Sequence, residues 1–216
     1  MLAQVLAGDK RIALIDTEGG TSEMYADRFD FDIEKIAEHS PDKFIAVIRQ
    51  IVDSGAYGAI ILDSFSHAWA GNKGVLEIAG GKYTGWRSGT NAQNKLYTAV
   101  RDLPIHLIVT MRLKKVYDIQ EVDGRQVITQ AGVKPVQRSD APYEFDWVGQ
   151  IDQDSHRLFI VGARDERIEN KVYEPNTVDL AHDLLEVLSD APRAIARYNP
   201  VKELEPGYVQ ETTRTK

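Results

Sequence analysis

Three short apolar runs in this chain end in side chains suited to holding charge. "RIALID" (11–16) runs into Asp16-Thr17-Glu18 and then Gly19-Gly20. "AIILDS" (59–64) ends in Asp63-Ser64, and "IHLIVTMR" (105–112) ends in Thr110-Met111-Arg112. Carboxylates and hydroxyls are hard oxygen donors, which suit a hydrated Mg²⁺. A guanidinium beside them suits an anionic ligand. There is no cysteine, so a thiolate metal centre and a disulfide framework are both excluded. His39, His67, His106, His156 and His182 are scattered, and no histidine metal cluster is expected.

The elements that must carry these residues follow from the hydrophobic pattern. The three runs have buried-strand length and near-continuous apolar character. "SPDKFIAVIRQIVDSG" between the first two puts Phe44, Val47, Ile48, Ile51 and Val52 on one helical face, with Ser40 as cap, Pro41 at the first turn and Gly55 as stop. "NAQNKLYTAVRDLP" does the same with Ala92, Leu96, Ala99, Val100 and Leu103. Strand-helix-strand alternation predicts an α/β fold with a mostly parallel sheet flanked by helices. Ligands bind such sheets beyond the carboxyl ends of the strands. Glu18, Asp63 and Thr110 are therefore expected close together at one edge.

The last third has a different pattern. "VYDIQEVDGRQVITQ" places an Asp123-Gly124 turn between alternating segments, so a β-hairpin excursion is expected near 113–132. "FDWVGQID" and "RLFIVGARD" read as further strands. "NTVDLAHDLLEVL" reads as a helix capped by Asn176 or Thr177. The opening "MLAQVLAG" reads as the last turns of a helix stopped at Gly8. Residues 1–190 form one expected domain, and 191–216 a polar tail. The net charge of -7 argues against a general polyanion binder but leaves room for a local basic loop. No stretch approaches the roughly 20 apolar residues of a membrane helix.

"AIILDS" matches the Walker B pattern, in which Asp63 would hold Mg²⁺; the plainer reading is an aspartate capping the next turn. "LIDTEGG", "AIILDSFSHAW", "IHLIVTMRLKK" and "PVQRSDAPYEFD" occur in an order that resembles the phage-type RecA-like ATPases, AAA-family nucleotide-binding proteins of which some act in single-strand annealing and recombination. The resemblance covers roughly residues 1–190. It implies a RecA-like P-loop NTPase core with antiparallel C-terminal strands, Mg²⁺ and ATP as cofactors, and a homo-oligomeric ring or filament. It also implies a phage or prophage protein in the bacterial cytoplasm. By the same resemblance Glu18 orients the attacking water, Asp63 holds the metal, and Thr110 and Arg112 sense the γ-phosphate. Asp16, Thr17 and Ser64 would line the nucleotide. Arg164 or Arg167, in "GARDERIENK", would reach a neighbouring subunit's nucleotide; the plainer reading of that stretch is a solvated charged turn.

Two features depart from that pattern. No G-x-x-x-x-G-K-[ST] occurs in the sequence. "AGGKYTG" (79–85) has Leu76 and Tyr83 where the motif needs glycine and a hydroxyl, and it follows no strand. The resemblance places the phosphate loop one helix upstream of "DTE", so the chain is expected to begin just after it, or to have lost it. The family's "HEW" is here His67-Ala68-Trp69.

Two segments suit single-stranded DNA. "GGKYTGWRSGTN" (80–91) reads as a flexible, glycine-rich loop and carries Lys82, Tyr83, Trp86 and Arg87; the hairpin carries Lys114, Lys115 and Arg125. Aromatic rings stack bases and cations pair phosphates. The alternative is that Tyr83 and Trp86 pack the next helix on the sheet. Two functions remain open on the sequence: an ATPase of DNA recombination or replication, and a non-hydrolysing scaffold or DNA-binding module that kept the fold. A small-molecule enzyme has no glycine-rich dinucleotide turn to support it.

Overall fold

A computed structural model describes residues 1–122, 125–175 and 177–190, with the backbone alone at 122, 125, 127 and 190. The expected Asp123-Gly124 turn, the Asn176 cap and the 191–216 tail lie outside the described residues. Helix α1 (Leu2–Ala7) stops at Gly8, whose φ of 60° is left-handed. Strand β1 (Arg11–Asp16) follows, with every residue after Arg11 buried. Strand β2 (Asp32–Lys35) is an element the sequence pattern missed, because its "DIEK" carries a single strong apolar residue. Helix α2 (Pro41–Asp53) starts as expected, with Ser40 Oγ accepting from Lys43 N at 3.3 Å. Strand β3 (Tyr57–Asp63), short helices α3 (Ser66–Ala70) and α4 (Val75–Ala79), helix α5 (Trp86–Arg101) and strand β4 (His106–Val109) complete the first half.

These four strands form one parallel sheet in the order β2-β1-β3-β4. Parallel strands need helices on both faces. On one face α2 and α5 bury Phe44, Ile48, Leu96 and Tyr97 against Ile15, Ile60, Leu62 and Phe65. Full burial of a side chain such as Phe44 or Ile48 contributes about 1.5–3 kcal/mol. On the other face α1 sets Ala3 and Ala7 against Ile12 and Ala59. Gly58 allows that approach, since a Cβ there would sit 2.5 Å from the Ala7 carbonyl oxygen.

Strands β5 (Leu113–Val122) and β6 (Arg125–Pro135) form the expected hairpin. Strands β7 (Trp147–Ile151), β8 (Leu158–Ala163) and β9 (Val172–Tyr173) make an antiparallel sheet. Helix α6 (Asp179–Asp190) packs on it through Leu180 and Leu184, with Leu6 of α1 joining the same cluster. Its first turn closes on Val178, whose carbonyl accepts from His182 N, so Thr177 stands outside the helix.

The segment 80–91 is not the flexible loop its composition suggests. Tyr83–Gly85 is a 3₁₀ turn and α5 already begins at Trp86. Two of its glycines serve packing, since a Cβ at Gly85 would lie 2.0 Å from the Ala79 carbonyl oxygen and Gly89 meets Val75 and Ala79, while Gly80 and Gly81 supply left-handed turn backbone at φ 60° and 67°. Tyr83 is 94% exposed and packs on nothing in the sheet, whereas the Trp86 ring leans on Trp69 at 6.1 Å. No helix among the described residues is long and apolar enough to cross a membrane.

Candidate functional site

Register brings the strand ends together. Asp16 pairs with Asp63 across β1 and β3, and Leu62 pairs with Val109 across β3 and β4. The ladder continues one step further: Thr17 N donates to the Asp63 carbonyl at 2.8 Å, and Phe65 N to the Thr110 carbonyl at 2.9 Å. Residues 16–18, 63–66 and 110–112 therefore share one edge of the sheet.

Asp16 is 2% exposed, and its oxygens face the turn that follows. Oδ1 accepts from Glu18 N at 2.7 Å and Oδ2 accepts from the Ser22 hydroxyl. Burial pushes this carboxyl up. Hydrogen bonds from the Ser22 hydroxyl and from the N–H groups of Glu18, Gly20 and Ser22 outweigh burial and hold it below the ordinary aspartate value. Gly19 and Gly20, at φ 78° and 97°, supply the left-handed backbone that lets those N–H groups converge. Asp16 thus builds the turn that presents Glu18, rather than standing open to a ligand.

Thr17 ties two strand ends together. Its Oγ1 accepts from Ser64 N at 2.6 Å, faces the Ser64 carbonyl at 3.2 Å and meets His67 Nδ1 at 2.7 Å. The Ser64 hydroxyl is buried without a partner. Asp63 Oδ1 accepts from the Thr110 hydroxyl at 2.5 Å. Arg112 is fixed at its backbone by the Ser66 hydroxyl at 2.9 Å, and its guanidinium clamps both oxygens of Glu18, with Nε to Oε1 at 3.0 Å. His67 Nε2 stands 3.9 Å from the same Oε1.

A family model described as an AAA domain matches residues 2–178. The chain belongs to the AAA domain family. Among solved structures it is similar to a KaiC-like protein from the hyperthermophilic archaeon Pyrococcus horikoshii OT3, at 15% identity and a TM-score of 0.40. That similarity covers 76% of this chain and 70% of the archaeal one. No curated protein matches the chain.

The AAA domain's strand-end residues fit part of a Mg²⁺–nucleotide site. Asp63, half-buried and oriented by Thr110, is the kind of single carboxylate that holds a hydrated Mg²⁺. A cleft of about 440 Å³ opens beside it, lined by Leu14, Phe29, Phe31 and Ile61. The phosphate half does not fit on these residues. Arg112 is engaged by Glu18, and the given sequence holds no G-x-x-x-x-G-K-[ST] motif to supply a phosphate cradle of N–H groups.

The remaining candidates lie elsewhere in the AAA domain. Arg164 follows β8 and pairs with Asp146 at 3.4 Å, while Arg167 pairs with Asp165 at 2.8 Å. The Arg167 contacts hold the Asp165 carboxyl down to about 2. Lys82 and Tyr83 are exposed on the turn before α5, and Arg87 is exposed in its first turn. Lys114 and Lys115 are exposed on β5, and the Arg125 side chain lies outside the described residues. Ser22, Ser66 and His67 had no role expected of them before the fold was known. A signal was present for His67: it sits four residues after Asp63, where a helix entered straight from the strand turns back over the strand ends.

Proposed function

We propose that this AAA domain is a RecA-like ATPase core whose strand ends form the metal-holding and water-orienting side of the site. The observation that carries this reading is the convergence of Glu18, Asp63, Thr110 and Arg112 at the ends of three adjacent parallel strands. Asp63 would hold Mg²⁺, which when bound neutralises charge on the β- and γ-phosphates. Glu18 would accept a hydrogen bond from the attacking water, and turning Arg112 away would free both of its oxygens for that. Arg112, once released, and Thr110 would face the γ-phosphate. Arg164 or Arg167 would complete the site from a second copy in a homo-oligomer. Exposed Tyr83 between Lys82 and Arg87, with Lys114 and Lys115 on the hairpin, fits stacking and phosphate pairing with single-stranded DNA. That suits recombination or annealing in a phage-encoded system of the bacterial cytoplasm.

A second reading, a non-hydrolysing DNA-binding scaffold, is favoured by the clamp of Arg112 on Glu18 and by the lack of a phosphate-loop motif in the sequence. Titrations of the chain separate the two. Under the ATPase reading, Mg²⁺ perturbs the NMR signals of Asp63 and Thr110, and Asp63→Asn abolishes the effect. Calorimetry with Mg²⁺–ATP should show binding no tighter than about 1 mM, since each missing charge-assisted hydrogen bond costs about 1.5–3 kcal/mol. Absence of any Asp63-dependent Mg²⁺ response would overturn the ATPase reading. Micromolar ATP binding would place the phosphates on another loop, with Gly19-Gly20 the first to test.

A further inference from the structure

Glu18 has two nitrogen partners beside one oxygen. Arg112 Nε donates to Oε1 at 3.0 Å, and His67 Nε2 lies 3.9 Å from the same atom. The first is a hydrogen bond, and the second is within ion-pair reach but beyond hydrogen-bond length. The two partners differ in how firmly they are held. The Arg112 side chain is 56% exposed, whereas that of His67 is 18% exposed.

The His67 ring is fixed from two sides. One face stacks on His39 with centroids 4.8 Å apart and planes 18° from parallel. His39 is itself backed by Gly71, where a Cβ would fall 2.5 Å from its Nδ1. Both His39 ring nitrogens are buried, and burial, followed by the neighbouring His67, lowers its pKa from the ordinary histidine value against the opposing effects of the Ile36 backbone carbonyl and Glu18. His39 is thus a neutral plate rather than a second cation. On the ring edge, His67 Nδ1 meets Thr17 Oγ1 at 2.7 Å.

Two proton arrangements satisfy both Thr17 Oγ1 and His67 Nδ1. Thr17 Oγ1 already accepts from Ser64 N and has one proton to give. The Ser64 carbonyl at 3.2 Å and His67 Nδ1 at 2.7 Å compete for it. When Nδ1 takes it, the imidazole proton lies on Nε2, the nitrogen that faces Glu18; when the Ser64 carbonyl takes it, Nδ1–H donates to the second lone pair of Oγ1.

We propose that His67 is a positioning residue for Glu18: its Nε2–H takes the carboxylate when Arg112 turns away, and keeps Glu18 at the strand ends. This rests on the reading of Glu18 as the water-orienting carboxylate. A carboxylate released from a guanidinium would otherwise swing into solvent, and a misplacement of about 1 Å can cost roughly 10²-fold in rate. Thr17 and His39 set the ring, so strand β1, the loop after β2 and helix α3 jointly fix one side chain.

Histidine-edited ¹H–¹⁵N NMR on the chain tests this without any turnover. His67 should appear as the Nε2–H tautomer, and Thr17→Val should remove that preference. Arg112→Ala should move the His67 Hε2 signal downfield as the contact to Glu18 shortens, and adding Glu18→Gln should reverse the move. Arg112→Gln serves the same purpose should Arg112→Ala not fold. An Nδ1–H tautomer in the unaltered chain would overturn the proposal, as would an Hε2 signal indifferent to Glu18→Gln. The expected His67 signature without any Mg²⁺ response at Asp63 would overturn the ATPase reading and leave the His67–Glu18 pairing standing.

Discussion

Asp16 shows how a residue's neighbours decide its role. In the sequence it is one of two acids at a strand end; in the fold its carboxylate is spent on the turn holding the other. Its hydrogen bonds stabilise the charged form, so its folded-state pKa lies below the ordinary 3.8. A depressed carboxyl contributes stability that is full above the unfolded value and is lost as pH falls through the folded one. Asp16→Asn should therefore lower stability at pH 7 by about 1–3 kcal/mol, the cost of disturbing a buried hydrogen-bonded group. The gap between variant and parent should narrow as pH drops below 3.8. Urea midpoints by circular dichroism across that range check both statements; a gap that widens in acid would contradict them. Glu18 differs: its partner Arg112 is 56% exposed, so Arg112→Ala should change stability by less than about 1 kcal/mol.

At the scale of elements, two close approaches set how neighbouring elements pack. Gly58 in β3 admits α1, and Gly85 admits the α4 backbone at the start of α5. Gly58→Ala should cost about 1–3 kcal/mol, as overpacked contacts do, because the obstructing atoms are backbone and cannot swing aside. Chemical-shift changes should concentrate in α1 and β3, and a shift pattern centred on α2 would contradict the packing described. Ser40→Ala, which removes the cap of α2, should cost about 1 kcal/mol. Its effect should stay local to the first turn of α2, as read by amide exchange at Lys43.

At the scale of the whole molecule, the strand-end site and the arginines proposed to act in trans sit on different sheets. Arg164 carries a 3.4 Å pair to a largely exposed Asp146, whereas Arg167 is braced on Asp165 by hydrogen bonds from both its backbone and its guanidinium. Arg164 is therefore the better placed of the two to reach a second copy. In a form of the protein that turns over ATP, mixing Arg164→Ala subunits with Glu18→Ala subunits should restore part of the activity lost by each alone. Failure to recover at any ratio, with both variants assembling normally, would argue against a shared site.

Sequence alone determined the parallel strands β1, β3 and β4, helix α2 with its cap, the β5–β6 hairpin and the placing of Asp63, Glu18 and Thr110 at one edge. Those features follow from local periodicity, turn chemistry and the rule that parallel strands end together. Strand β2 was invisible because an edge strand needs little apolar content to pair. The 80–91 segment was misread because glycine signals freedom in isolation and close packing in context, and only the backbone of α4 distinguishes them. The clamp of Arg112 on Glu18, across 94 residues of chain, was equally out of reach. So was the Thr17–His67–His39 stack, which depends on how α3 folds back over strands from distant parts of the sequence. Spacing names the groups at a strand end; which of them pair with each other is a matter of distances that only the packed sheet and its covering helices create.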